Sequence, residues 1–212
     1  MSVPHVDAST WSLTVEGLVE HPSRLDQEAL HALPASRLTA FHECFGNPTA
    51  PNVPTRAVAN VEWLGVPLAR LLDQAVPRPH AAHVWFEGVD RGSFRGSPEH
   101  NYLKDLPLDI ARREVLLAYE MNDAPLDAEH GFPVRAVVPR MFGTNSVKWL
   151  GRIVVSDSRP EHPRPLPRSA EPAGRADPGS VGWAGHGRDR PRFTPCRATS
   201  VRAATARRWP RR

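Results

Sequence analysis

At Pro160 the chain changes character, and that break sets what the whole can fold into. Of the 53 residues from Pro160 to Arg212, 34 are Arg, Pro, Ala or Gly, and none is Lys, Ile or Met. The larger apolar side chains there, Leu166, Val181, Trp183, Phe193, Val201 and Trp209, follow neither a strand nor a helix period. Such a segment cannot bury enough apolar surface to offset the entropy of ordering it. It reads as a disordered tail, 159–212, behind one folded domain, 1–158. Arg, Ala, Pro and Gly are also the products of GC-rich codons, so a shifted reading frame after Arg159 fits the abrupt change.

The break also governs the charge. The chain carries +4 overall, with 27 Lys and Arg against 23 Asp and Glu. Removing the 12 Arg and four acids of 160–212 leaves 15 basic and 19 acidic residues, so 1–159 carries −4. A nucleic-acid partner is therefore not expected: the basicity is all tail, rich in Pro and Gly and without aromatic interleaving. No apolar run is long enough for a membrane-spanning helix. MSVPHVDAST has neither the cationic nor the apolar stretch of a secretory signal, so the chain reads as cytoplasmic, or periplasmic if an export signal precedes it. Two cysteines, Cys44 and Cys196, make no disulfide framework, and the absence of C-x-x-C-H argues against covalent haem.

Before the break, short strand and helix signals alternate closely, as in a mixed α/β or α+β domain. Trp11, Leu13 and Val15 alternate with polar residues as a strand closed by Gly17. Ser23 followed by Asp26 is a capping signal ahead of a helical stripe, Leu25, Ala29, Leu30 and Leu33. A strand is expected over 37–42. Pro67 suits the first position of a helix carrying Leu68, Leu71, Leu72 and Ala75. Val84 and Phe86 mark another strand, after which 88–98 reads as a turn-rich loop holding Asp90, Arg91 and Arg95. Strands over 115–119 and 153–155 follow, with Asn122 and Asp123 as a turn.

Three clusters carry potential chemistry. In HECFGNP, Cys44 precedes a Gly-Asn turn and could be a thiolate ligand, a nucleophile or a buried thiol. Zinc is poorly supported, since His42 lies beside that single Cys without ligand spacing. In EHGFPVR, His130 and Arg135 flank a Gly-Phe-Pro turn and can both face an anion. GTNSVK ends in Lys148, one of two lysines in the chain, and its small polar residues suit a phosphate cradle or a plain surface turn. Cys44, Asp90, His130, Arg135 and Lys148 are thus candidates for one anion-binding cleft that contains a thiolate.

Read in order, these segments resemble the sulfite oxidase family of molybdenum-cofactor enzymes. The resemblance rests on WSLTVEGLV, ECFGN, VEWLGVPLARLL, VWFEGVD, EVLLAYEMNDAPLDAEHGFPVRAVVP and VKWLGRIVV, and covers 11–155. It implies a mixed α/β sulfite-oxidase-type domain holding one molybdopterin, with Cys44 as the protein thiolate on molybdenum. Asp90, His130, Arg135, Ser146, Val147 and Lys148 would hold the pterin and its phosphate. A soft thiolate beside hard oxo groups is suited to molybdenum, and the protein's share is orientation and charge. The implied reaction is oxo transfer, with sulfite oxidation expected, a small oxyanion as substrate and electrons passing to a separate acceptor such as a cytochrome.

The chain also departs from that pattern. The family's upstream Arg-Asn-His stretch has no counterpart, Pro48 and Thr49 follow C-x-GN where Arg is common, and Arg140 stands where Gly usually follows VVP. The Tyr expected after VKWLG and the immunoglobulin-like dimerisation domain have no counterpart either. Arg56, Arg91, Arg95 and Arg140 are the available replacements for the substrate cation. The alternatives are a truncated relative that binds little cofactor, or a Cys-His hydrolase pairing Cys44 with His130 or His42.

Overall fold

A computed structural model describes residues 3–47, 53, 57–93, 98–161 and 194–195. Arg56, Arg95 and Cys196 lie outside them, as does everything after Glu161 apart from Thr194 and Pro195. In chain order the strands are β1 (Leu13–Gly17), β2 (Ser23–Leu25), β3 (Ser36–Glu43), β4 (Val58–Pro67), β5 (His83–Gly92), β6 (His100–Pro107), β7 (Leu116–Met121), β8 (Ala124–Pro125), β9 (Arg135–Val137), β10 (Leu150–Ser156) and β11 (Thr194–Pro195). Three short helices interrupt them: α1 (Gln27–His31), α2 (Leu68–Ala75) and α3 (Leu108–Glu114).

The strands form two sheets. The first has the order β2-β1-β10-β5-β6, with β1 and β10 parallel so that the two ends of the domain lie side by side. The second runs β11-β3-β4-β7-β8, with β9 also paired to β7. Sequence alternation explains how they share a core. Leu13, Val15, Val84, Phe86, Ile153 and Val155 of the first sheet are buried together with Leu117 and Ala136 of the second. Leu68, Leu71 and Leu72 fill the same core from one stripe of α2, each worth about 1.5–3 kcal/mol of burial. The opposite face of the second sheet buries a smaller group, Leu38, Ala40, Trp63, Leu116, Ala118 and Val137. Arg135 lies two residues before Val137 in β9 and therefore points to that smaller group.

Several local expectations shift. The cap of α1 is Asp26, whose carboxylate accepts the Ala29 amide at 2.8 Å, whereas Ser23 pairs in β2 opposite Val15. That helix is a short turn with Leu30 alone buried. Pro67 ends β4 and caps α2 instead of starting it, and α2 stops where Val76 takes a left-handed backbone, φ 53°. Asn122 and Asp123 make the β7–β8 turn, both left-handed at φ 50° and 61°. The expected loop over 88–98 is strand as far as Gly92, because β6 pairs with it through Arg91↔Asn101 and Gly92↔His100 across an irregularity. No helix among the described residues is long and apolar enough to cross a membrane.

Candidate functional site

Cys44 follows β3 directly and is free and exposed. A compact turn presents it: the Asn47 amide donates to the Cys44 carbonyl at 3.1 Å, and the Gly46 amide donates to Sγ at 3.4 Å. The Asn47 side chain locks the turn to the facing segment, donating to the Ala57 carbonyl at 3.0 Å and accepting the Ala57 amide at 3.1 Å. This explains Asn in that position: its amide supplies both donor and acceptor on one plane.

Arg135 is the most buried cation described, at 3% exposure. Nη1 donates to the His130 carbonyl at 2.9 Å and Nη2 to the Ser146 carbonyl at 3.3 Å, while Nε has no partner among the described residues. Desolvation alone pushes its pKa down to about 10. A buried cation served by two carbonyl dipoles and no carboxylate is a place prepared for an anion.

Lys148 and His130 lie beside it. Gly131, at φ 104°, brings the backbones together: a Cβ there would stand 2.9 Å from the Lys148 Cβ and 3.2 Å from the Arg135 Cβ. No side chain fits that space. Lys148 Nζ donates to the Glu129 carbonyl at 2.6 Å, and desolvation, then the neighbouring Arg135, lowers its pKa. His130 is half-exposed, with Nδ1 2.8 Å from the Asp127 carboxylate.

Asp90 joins the cluster from β5. It is buried, its Oδ1 lacks a partner among the described residues, and burial raises its pKa. Gly88 makes the room: a Cβ there would meet Oδ1 at 2.3 Å and the Lys148 carbonyl at 2.9 Å. Ser146 and Val147 serve differently. The Ser146 hydroxyl accepts the Val138 amide at 3.1 Å, and Val147 sends its side chain to the core and its carbonyl to the Ala136 amide at 2.8 Å.

His42 enters through packing that sequence reading of neighbours does not reveal. Its ring lies 5.9 Å from that of Trp63, and Gly143 packs so near that a Cβ would stand 3.0 Å from His42 Nε2. Desolvation, then Arg135 and Lys148, pushes its pKa down to about 4, so the ring is neutral at physiological pH. Phe142 then meets Phe45 edge-on at 5.6 Å, which ties the 140–146 loop to the Cys44 turn. Around Cys44 Sγ no imidazole stands within hydrogen-bond reach among the described residues. The thiol is thus exposed two residues beyond His42, the ring that feels Arg135 and Lys148.

Comparison with known proteins decides the family. The model described as "Oxidoreductase molybdopterin binding domain" matches residues 1–163. The chain belongs to that family. The mitochondrial sulfite oxidase of Drosophila melanogaster is 36% identical over 171 residues, covering 74% of this chain and 29% of that protein. The inducible NADH nitrate reductase 2 of Glycine max is 32% identical over 176 residues, 76% of this chain and 20% of the relative. The chain spans about a third or less of these relatives. Among solved structures, the sulfane dehydrogenase SoxCD from Paracoccus pantotrophus superposes with a TM-score of 0.63 at 30% identity, over 74% of this chain and 40% of that one. The sheet-dominated α/β fold and molybdopterin as the cofactor class follow from membership. The residues present fit that cofactor: a buried guanidinium with a spare donor, a buried carboxylate with a spare acceptor and an exposed thiol.

Proposed function

We propose that this molybdopterin-binding domain is the catalytic centre of an oxidoreductase that oxidises sulfite and passes the electrons to a separate acceptor protein such as a cytochrome. The observation that carries the reading is Arg135, a buried cation with an unused Nε, set beside Lys148 and reached through the same packed segments as the exposed Cys44 thiol. Similarity to sulfite oxidases over most of the domain supports the substrate. Similarity to nitrate reductases keeps the cofactor reading while allowing oxo transfer in the reductive direction.

Each residue then has a chemical task. Cys44 is the thiolate ligand for the metal, held outward by the Gly46 amide and the Asn47 clamp. Arg135 and Lys148 neutralise the cofactor's phosphate beside His130, with Arg135 fixed in direction by the carbonyls of His130 and Ser146. Asp90 offers Oδ1 to an N–H of the pterin, which would relieve its unpaired burial. Ser146 and Val147 act through the backbone, since hydroxyl and side chain are already committed. When bound, the cofactor supplies the oxo group and the two-electron redox change.

The test is elemental mass spectrometry on chain made in a host able to synthesise the cofactor, coupled to sulfite-dependent reduction of ferricyanide. About one molybdenum and at least one phosphorus per chain, with turnover, is the expected result. Loaded protein that reduces nitrate and leaves sulfite untouched would overturn the substrate. Metal-free wild-type protein would favour the truncated relative. A Cys-His hydrolase has less support, because catalysis would need an imidazole bonded to Cys44 Sγ.

A further inference from the structure

Glu114 ends α3 with its side chain buried, at the helix terminus where the dipole disfavours a carboxylate. The preceding Arg112 and Arg113 turn outward to Asp73 and Asp109, so the helix does not require Glu114 for its own ion pairs. Glu114 instead receives Arg140 Nη2 on Oε1 at 2.6 Å, and Oε2 has no partner among the described residues. Arg140 has a left-handed backbone, φ 64°, a conformation that side-chain-bearing residues adopt at a cost. Something must hold it there. The buried carboxylate is that restraint.

What the restraint holds is the segment beside the thiol. Two residues beyond Arg140, Phe142 packs on Phe45, and Gly143 packs on His42. The far end of the segment is held by the Tyr102 hydroxyl, which donates to the Thr144 carbonyl at 2.7 Å. Both ends are therefore pinned by side chains from other elements, and the middle presses on the turn that carries Cys44.

We infer that Glu114, acting through Arg140, is a positioning residue for the Cys44 site: the ion pair fixes the 140–146 segment against the turn that carries the exposed thiol, and its release frees that turn. The inference deepens the proposed function and rests on Cys44 being the reactive thiol of the site. Arg140 is then a strut for that segment, with Nη2 engaged by Glu114.

The test uses cofactor-free full-length chain and the rate of iodoacetamide alkylation at Cys44, resolved from Cys196 by peptide mass spectrometry. The double variant Glu114→Gln/Arg140→Gly removes the pair without leaving a buried charge, and Gly suits the backbone at 140. Alkylation about tenfold faster than wild type is expected, with near-UV circular dichroism unchanged. Arg112→Ala, which cuts an outward ion pair of the same helix, should keep the wild-type rate. Arg140→Lys keeps the charge paired and should give a smaller rise. A folded double variant that alkylates at the wild-type rate overturns the inference, as does Arg112→Ala accelerating equally. If the double variant fails to fold, Arg140→Lys at the wild-type rate overturns it. Metal-free wild-type protein from a competent host would count against the cofactor reading and leave the alkylation result standing.

Discussion

The guanidinium carbon of Arg135 lies 4.9 Å from the centre of the Trp63 ring, with both side chains almost wholly out of water. The ring supplies the face that carboxylates elsewhere would supply, worth up to about 2 kcal/mol when desolvated. A planar fork can stack on that ring, bond two carbonyls and still direct Nε to an anion. An ammonium cannot. Arg135→Lys is therefore expected to weaken cofactor retention by about 10- to 100-fold, the worth of one lost charge-assisted bond. Molybdenum and phosphorus per chain after gel filtration measure it, and wild-type loading would contradict the account.

Asp90 gives a pH-dependent prediction. Burial raises its pKa above the ordinary carboxylate value, so the unfolded chain releases this proton at lower pH than the folded one. Its contribution to stability is then intact at low pH and declines as pH rises through the unfolded value towards the raised folded one. Asp90→Asn should stabilise the cofactor-free chain at neutral pH, and the gain should vanish in acid. Urea midpoints at pH 7 and pH 4 measure this; a neutral-pH loss of stability would contradict it. In loaded protein the same substitution should lower cofactor retention, because the charge is lost and one acceptor oxygen becomes a donor NH2.

Gly131 tests the close approach of the two cation-bearing segments. Ala there would need φ 104° and would place its Cβ 2.9 Å from the Lys148 Cβ. Gly131→Ala is expected to cost about 2–4 kcal/mol, from backbone strain plus overpacking. Chemical denaturation measures the cost, and a change within about 0.5 kcal/mol would show that the segments can separate freely.

How much of this was legible depended on whether the signal was local. Leu68, Leu71, Leu72 and Ala75 announce α2 because one helix stripe is buried, and all four are buried. β6 went unread because only Leu106 of its eight residues is buried, so no apolar alternation marks it. Its pairing then overrode the turn signals at 88–92 and put Asp90 on a strand. α3 is equally quiet, with Ile110 its one large apolar side chain in the core. In the site, Arg135 and Lys148 stood out as cations near Gly turns, and Lys148 also as one of only two lysines. His42 was legible only as a neighbour of Cys44, because its packing comes from Trp63, Gly143 and Arg135, all distant in sequence.

The central claim is that Cys44 donates its thiolate to the cofactor's metal, and X-ray absorption at the molybdenum edge tests it most directly. Loaded wild-type protein should show one more sulfur scatterer than loaded Cys44→Ser, with sulfite turnover lost in the variant. Equal sulfur counts in the two proteins would contradict the claim and return Cys44 to the role of an exposed bystander.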